Sequence, residues 1–522
     1  MKKLLVVLCV MALALPVFGE TVFRIANGAE PGSLDPHLIS GVNEARINDA
    51  LFEGLVIPSP ATGNPVPGVA EKWTVSPDGT VYTFTIRKGV KWSDGTPITA
   101  RTVYESWLRN LDPATASEYA SLMNDTIKGA KDYNGGKAGP SAVAMRVVDL
   151  QTFQVTLNGP VGYFLAALTH HAFAIVPMHA VKKYGADWTQ PKNFVGNGPF
   201  TLREWMPNDK IVCVKNPTYW DAKNVQLDQV VFYASDDNSV NYKMYVNGEV
   251  DWNTNSPPAD KIDEAVARPQ KDFLRTPYLS VYYYEFNVNK PPFNDLRVRK
   301  AFSLSLGRAN IVQNITKTGE VPTTNYTPPM GAYKGPVGIP EDLEAAKKLM
   351  ADAGFPGGKG FPVVKLGYNT SSRHKSIAEY VQQQWEQVLG VKVEATNMDF
   401  ATFLDVRKDG NLGGFDIARA GWVADYQDPY NFLFMFLSDN KDFNDPRWVN
   451  KKYDELIQKT NTLPMGPERN KLFFDAETLL VEDLPIMPFF FYTTQNMIDL
   501  NKWSGWSSNA LDRHPPKFIF KK

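Results

Sequence analysis

The chain has 522 residues, which is too long for one hydrophobic core, because single cores stop growing near roughly 250 to 300 residues. Hydrophobic residues make up 43% and charged residues 21%, which excludes a disordered chain and a protein with many membrane spans. The 55 Lys and Arg residues balance 56 Asp and Glu residues, so no net field attracts nucleic acid or an anionic membrane. We therefore expect two or three domains and no direct insertion into a membrane.

The amino terminus has the pattern of a secretory signal peptide over residues 1–19. Two lysines precede an apolar run from Leu4 to Leu15, and the cut is expected before Glu20. The run is shorter than the ~20 residues that span a bilayer, which makes a signal anchor the weaker alternative. We expect a periplasmic protein without a lipid anchor, whose mature chain keeps Cys213 as a single thiol.

The first patterned segment, residues 71 to 92, predicts a β-hairpin. Ser76 to Gly79 supplies the proline, aspartate and glycine of a tight turn, and apolar residues alternate with polar ones from Tyr82 to Arg87. A helix is expected from Thr99 to Leu111. Hairpins mixed with helices indicate an α+β domain in this part of the chain.

The C-terminal half has the pattern of a βαβ unit. A strand is expected at 363–368, then a helix that ends at Leu389, then a second strand at 391–394. A helix at 400–408 leads into a strand at 415–422, which we expect in the same sheet. This half is therefore predicted to hold a doubly wound α/β domain.

Motifs for catalysis are missing from the chain. The sequence has no His-Glu-x-x-His, no Gly-x-Ser-x-Gly and no phosphate-binding loop, and its six histidines lack zinc spacing. The side chains of His170 and His171 would diverge on any regular element, which favours a core or surface role for both. We expect neither an enzyme nor a bound metal or other cofactor.

Three ionisable residues are predicted to lie at one crevice, because ligands of open α/β sheets bind beyond the carboxyl ends of the strands. His374 follows the first strand of the βαβ unit, Arg419 lies within the last strand and Asp425 follows it. Their alternative roles are local: caps for His374 and Asp425, and an ion pair for Arg419. The run from Tyr282 to Phe286 predicts a buried strand or a cleft wall, on which Glu285 would need a partner.

Several sequence blocks, spread over nearly the whole mature chain, match one family. They are Ser33 to His37, Leu51 to Leu55, Pro67 to Trp73, Lys91 to Pro97, Pro113 to Tyr119, Pro217 to Trp220, Tyr282 to Phe286, Lys290 to Arg299, Tyr326 to Pro329 and Ala418 to Tyr426. The chain resembles the periplasmic oligopeptide-binding proteins, the family 5 solute-binding receptors of peptide ABC importers. Relatives in the wider family take dipeptides, nickel complexes and some sugars, whereas the last block is more diagnostic of peptide binding.

The resemblance implies an α/β fold of the type II periplasmic-binding-protein kind, with a bilobal cleft and an additional inserted α+β domain. Lobe I would comprise residues 20–50, 176–278 and 493–522. Lobe II would be the inserted α+β domain, 51–175, and lobe III the α/β domain, 279–492. The ligand would be buried as the lobes close about a hinge.

The resemblance also implies how a peptide is held. Asp425 would bind the amino terminus, because an ammonium taken out of water needs a fixed counter-charge. Arg419 and His374 would meet the carboxyl end of a short peptide, and Arg407 would serve ligands of another length. The main chain of Gly421 and Val423 would pair with the peptide as an added strand. Further lining positions would be Tyr119, Asn255, Glu285 and Trp422.

The implied function is an extracytoplasmic receptor that binds short peptides with little side-chain specificity. It would act as a monomer and deliver them to an inner-membrane ABC permease with its ATPase subunits. Some relatives carry an acidic residue near the position of Ser40, so a preference for basic side chains stays open. The alternative is a receptor of the same fold for another solute, such as a dipeptide, a nickel chelate or an oligosaccharide.

Overall fold

The computed structural model describes residues 20–269 and 271–522. The predicted signal peptide, residues 1–19, lies outside the described residues. Among the helices of the described part, none combines the length and the apolar composition that a membrane crossing requires.

A seven-stranded mixed sheet is built from segments far apart in the sequence. In spatial order its strands are Phe273–Leu274, Asn496–Ile498, Trp252–Asn253, Val22–Ala26, Gln229–Tyr233, Lys210–Lys215 and Phe200–Met206. The strand that begins at Val22 runs parallel to both of its neighbours, and the other pairs are antiparallel. All seven strands fall in the segments predicted for lobe I. The buried side chain of Cys213 lies on one of them.

A four-stranded antiparallel sheet lies in the segment predicted for lobe II. Its order is Ala70–Val75, Val81–Ile86, Thr152–Thr156 and Met145–Val147. The predicted hairpin is confirmed, and Gly79 adopts a φ of 73° that its turn requires. The predicted helix is also confirmed as Ala100–Leu111, which begins after Thr99.

A six-stranded sheet occupies the C-terminal half. Its order is Val321–Pro322, Ile486–Thr493, Pro277–Phe286, Ile417–Val423, Val364–Asn369 and Val393–Met398. The predicted βαβ unit is confirmed, since the last two strands are parallel and are joined by the helix Ser372–Leu389. The prediction of a doubly wound sheet was incomplete. The strand Pro277–Phe286 runs antiparallel to both of its neighbours, which makes the sheet mixed.

Helices pack around these sheets, and two small hairpins complete the fold. The hairpins pair Val56–Pro58 with Pro65–Pro67, and Trp503–Ser504 with Phe520–Lys521. The remaining α-helices are Val42–Leu51, Ala120–Thr126, Ala130–Asn134, Phe164–Ala167, Met178–Tyr184, Asn238–Val246, Ile262–Val266, Leu296–Leu304, Arg308–Asn310, Leu343–Asp352, Phe400–Arg407, Tyr430–Leu433, Lys451–Thr460 and Pro467–Asp483.

The segments predicted for lobes II and III share one hydrophobic core. The ring of Tyr163 stacks on those of Tyr426 and Tyr430 at centroid distances of 4.8 and 5.4 Å. The Tyr430 hydroxyl donates a hydrogen bond of 2.6 Å to Asp125. These contacts bring the ends of the central strands of the six-stranded sheet close to the inserted domain.

Candidate ligand-binding cavity

A cavity of about 530 Å³ lies between the three predicted lobes. Its size falls within the usual range of ligand sites, roughly 300 to 1,000 Å³. Nine of the ten predicted ligand residues line it: Tyr119, Asn255, His374, Arg407, Arg419, Gly421, Trp422, Val423 and Asp425. Ser40 also lines the cavity. Sequence blocks separated by more than three hundred residues therefore meet at one site.

Glu285 is the exception, because it lies behind the cavity wall and not on it. Its side chain is fully buried, and its Oε2 lies 3.7 Å from Nη1 of Arg407. Burial raises the pKa of the Glu285 carboxyl, which Arg407 offsets in part. The partner that this carboxylate was expected to need is thus Arg407, and the role of Glu285 is to support the wall.

The strand Ile417–Val423 has an open edge on the cavity side. One edge pairs with Pro277–Phe286 along its whole length, but the other pairs with Val364–Asn369 only at Ile417 and Ala418. Hydrogen bonds from Ala424 to Leu279 and from Asn287 to Asp416 fix which residues face the paired edge. Since this direction alternates along an antiparallel strand, the N–H and C=O groups of Gly421 and Val423 point to the open edge. The C=O group of Arg419 lies on the same side but already accepts a hydrogen bond from Arg407.

Asp425 lies at one end of this edge and contacts only neutral hydrogen-bond partners or histidine. Asn431 Nδ2 donates to its Oδ2 at 3.0 Å, and His170 Nε2 lies 3.2 Å from its Oδ1. No lysine or arginine nitrogen in the described part of the chain lies within 4 Å of this carboxylate, although only 13% of its side chain is exposed. The site therefore offers a nearly buried negative charge to a cation from outside the chain.

His170 is a site residue that the sequence interpretation missed. The backbone N–H of Ala172 donates to its Nδ1 at 3.2 Å, so in the neutral ring the proton is on Nε2 and points to Asp425. The centre of its ring lies 3.8 Å from that of the His171 ring and 4.2 Å from that of the Tyr119 ring. The prediction that the two histidine side chains diverge was wrong, because a tight 3₁₀ turn follows His170 in place of a regular element.

Arg419 and His374 lie toward the other end of the open edge. Arg419 donates to Asn369 Oδ1 at 3.1 Å and to the Tyr492 hydroxyl at 2.9 Å, and no carboxylate of the described residues lies within 4 Å of it. Burial, together with Arg419, holds the pKa of His374 well below its usual value. Its Nδ1 has no hydrogen-bond partner among the described residues. This end therefore offers a cation and a neutral imidazole to an anion.

Arg407 lines the cavity, but most of its donors are already used. Its Nη1 donates to the Arg419 carbonyl at 2.8 Å, and its Nη2 lies 2.9 Å from Asp445 Oδ2. With Glu285 behind it, Arg407 is an ion-paired support of the cavity wall. Its Nε has no partner among the described residues, but this atom is buried, and the contact of Arg407 with ligands of another length stays a prediction.

Comparison with known proteins places these features in context. The model of the bacterial extracellular solute-binding proteins, family 5 (middle region), matches residues 64–444. The chain is 40% identical over 490 residues to the periplasmic oligopeptide-binding protein OppA of Salmonella typhimurium, an alignment that covers 92% of this chain and 88% of the relative.

Two solved structures distinguish the arrangement of the lobes. The structure of Haemophilus influenzae OppA in complex with the peptide RPPGFSPFR has a TM-score of 0.90 at 31% identity, covering 96% of this chain and 99% of that one. The unliganded open form of the periplasmic murein tripeptide-binding protein MppA has a TM-score of only 0.67 at 32% identity, with 96% and 97% covered. The lobes are therefore arranged as in the peptide complex and not as in the open form.

Proposed function

Because the chain belongs to family 5 of the bacterial extracellular solute-binding proteins, we propose that it is a periplasmic receptor that binds short peptides for an ABC importer. One observation carries this proposal: the open strand edge of residues 419 to 423, which has Asp425 at one end and Arg419 at the other. A peptide is an extended chain with an ammonium at one end and a carboxylate at the other. It complements this edge in hydrogen bonding and in charge.

The peptide main chain accounts for affinity without side-chain specificity. The N–H and C=O groups of Gly421 and Val423 pair with the peptide, and Asp425 binds its amino terminus. Arg419 and His374 bind the carboxyl end of a short peptide, while Tyr119, Asn255 and Trp422 contribute to the walls. Such contacts are the same for any sequence of amino acids.

In this proposal the three lobes keep the boundaries predicted from the sequence, and they close about a hinge formed by two connecting segments. The separate sheets support this division. The chain passes between lobes I and III twice, once at the beginning of the strand Pro277–Phe286 and once at the end of the strand Ile486–Thr493. The two passages are adjacent, since Pro277 lies opposite Thr493. Beside this crossing, Thr276 and Thr494 are hydrogen-bonded at 2.8 Å. Rotation about these two connections would open the cavity, and it would also separate contacts that lobe III makes with its neighbours.

The protein acts as a monomer that is exported by its signal peptide and performs no covalent chemistry. It delivers the closed, loaded form to an inner-membrane permease with its ATPase subunits. The experiment that tests the proposal is native purification followed by denaturation and mass spectrometry of the released ligands. A mixture of short peptides supports it, whereas a single sugar, metal chelate or other solute contradicts it. Incubation with a defined peptide tests the absence of catalysis, since cleavage products would show a peptidase.

A further inference from the structure

Arg46 is a cation of the cavity wall that the proposed peptide contacts do not use. It lies on the helix Val42–Leu51 and faces the cavity from lobe I. Its Nη1 donates to Asn27 Oδ1 at 2.8 Å, and its guanidinium carbon lies 5.3 Å from the centre of the Trp252 ring. No carboxylate oxygen in the described residues lies within 4 Å of its nitrogens. The aromatic ring holds the guanidinium in place while most of its donors stay free.

The other cations of the cavity wall already have their partners. Arg513 pairs with Asp49 at 2.5 Å, Lys408 pairs with Glu118, and Arg407 pairs with Asp445. Apart from Arg46, this leaves Arg419, which the proposed function assigns to the peptide carboxyl terminus. Arg46 is therefore a second guanidinium that can pair with an anionic group of the ligand.

Neighbouring carboxylates do not satisfy Arg46. Asp49 is paired with Arg513, and Asp512 accepts hydrogen bonds from Asn496 at 2.7 Å and contacts His514 at 2.9 Å. Burial lowers the pKa of Arg46, and the more distant charges of Asp512 and Asp49 oppose this effect. A half-buried guanidinium without a direct counter-ion favours a ligand that brings one, and a carboxylate can accept two of its hydrogen bonds.

The position of Arg46 relates it to the amino-terminal half of a bound peptide. Asp49 lies about one turn after Arg46 on the same helix and pairs with Arg513. Arg513 also donates, at 2.8 Å, to the carbonyl oxygen of the residue before His170. Since His170 Nε2 lies 3.2 Å from the Asp425 carboxylate, Arg46 lies toward the end of the cavity that is proposed to receive the peptide ammonium. A side chain that reaches Arg46 belongs to one of the first peptide residues.

We propose that Arg46 is a specificity-determining residue, which favours peptides with Asp or Glu among their first three residues. The inference rests on the proposed function and deepens it. An acidic side chain would place its carboxylate against the guanidinium beside Asn27. A glutamine of the same length would form only a neutral hydrogen bond there.

Calorimetry with six tripeptides tests this proposal. Each peptide carries Glu or Gln at position 1, 2 or 3 and alanine elsewhere. We expect one position at which Glu binds on the order of tenfold more tightly than Gln, because a hydrogen bond to a charged group is the stronger one. Arg46→Gln should abolish this ratio, Arg46→Lys should keep part of it, and Arg146→Gln, at an exposed arginine of lobe II, should leave it unchanged.

Three results would overturn the inference. The first is equal affinity for Glu and Gln at every position in the unmodified protein. The second is a preference for Glu that persists in Arg46→Gln, with thermal melting showing that the variant is folded. The third is the absence of binding by all six peptides, which overturns the proposed function as well. The first two results leave the proposed function intact, so the two failures can be told apart.

Discussion

Replacement of Asp425 by asparagine should remove most of the affinity for the peptide amino terminus. Asparagine keeps the shape of the side chain and can accept from either Asn431 or His170, but not from both, and it removes the charge. At about 3 Å and an effective dielectric constant of about 20, an ammonium and a carboxylate attract each other by roughly 5 kcal/mol. Desolvation of the ammonium offsets part of this energy. Loss of one partner of a buried charge pair costs about 2 to 5 kcal/mol, or roughly 30-fold to 5,000-fold in Kd.

A thermodynamic cycle separates this effect from a general loss of folding. Calorimetry would compare a tripeptide and its N-acetyl derivative on the unmodified protein, on Asp425→Asn and on Asp475→Asn. Asp475 is a matched control, since it pairs with Lys471 on the helix Pro467–Asp483 and does not line the cavity. Acetylation should weaken binding strongly except in Asp425→Asn. If acetylation costs the same free energy in that variant as in the unmodified protein, Asp425 does not bind the ammonium.

Three further changes test other parts of the site and fold. His170→Phe should weaken peptide binding by about 1 kcal/mol, because the aromatic ring remains but the hydrogen-bond donor to Asp425 is lost. His170→Gln should recover part of this binding energy. Equal peptide affinities of the unmodified protein and His170→Phe in calorimetry would contradict a role of His170 in binding. Gly421→Val should lower peptide affinity at least tenfold, since a Cβ at this position would lie 2.9 Å from Nη2 of Arg419 at the open edge; unchanged binding would show that peptides do not use this edge. Burial raises the pKa of Asp125 from its usual value of 3.8 to about 6 in the folded protein. The folded state therefore has its full stability below pH 3.8, where Asp125 is protonated in both states, and it loses stability as the pH rises through 6. Asp125→Asn can still accept the hydrogen bond from Tyr430. It should raise the free energy of unfolding by about 2 kcal/mol at pH 8, a value reduced because Asp125 keeps some contact with solvent, and by little at pH 4. A difference in chemical denaturation that does not depend on pH would refute this.

Local sequence patterns predicted the elements whose determinants lie close together. The turn at Ser76 to Gly79 and the helix that ends before Gly390 depend on backbone conformations that few residue types adopt, and both are observed. The βαβ unit followed from its periodicity for the same reason. The strand order of the α/β half predicted that His374, Arg419 and Asp425 lie at one crevice, and resemblance to a family added the other six residues that line the cavity.

The remaining features depend on residues far apart in sequence. The strand at Val22 pairs with residues more than two hundred positions away, and the central strand Pro277–Phe286 receives one neighbour from near the end of the chain. No local pattern specifies such pairing or its direction. His170 gave no signal because its role arises from contact with Asp425 of another lobe. Glu285 was predicted to line the cavity, but it lies behind the cavity wall. Alternation along a strand shows which face a side chain is on, but not what covers that face.

The open edge at Gly421 and Val423 also bears on aggregation. An unpaired strand edge on a protein surface can add strands of other molecules, which is why exposed edges are usually short, charged or covered. Here the edge faces a cavity of about 530 Å³ between the predicted lobes. A single extended chain fits such a cavity, but the edge of another folded sheet, with its side chains on both faces, does not. The cavity therefore admits short extended chains and excludes folded sheets. The protein can thus retain an unpaired strand edge without self-association.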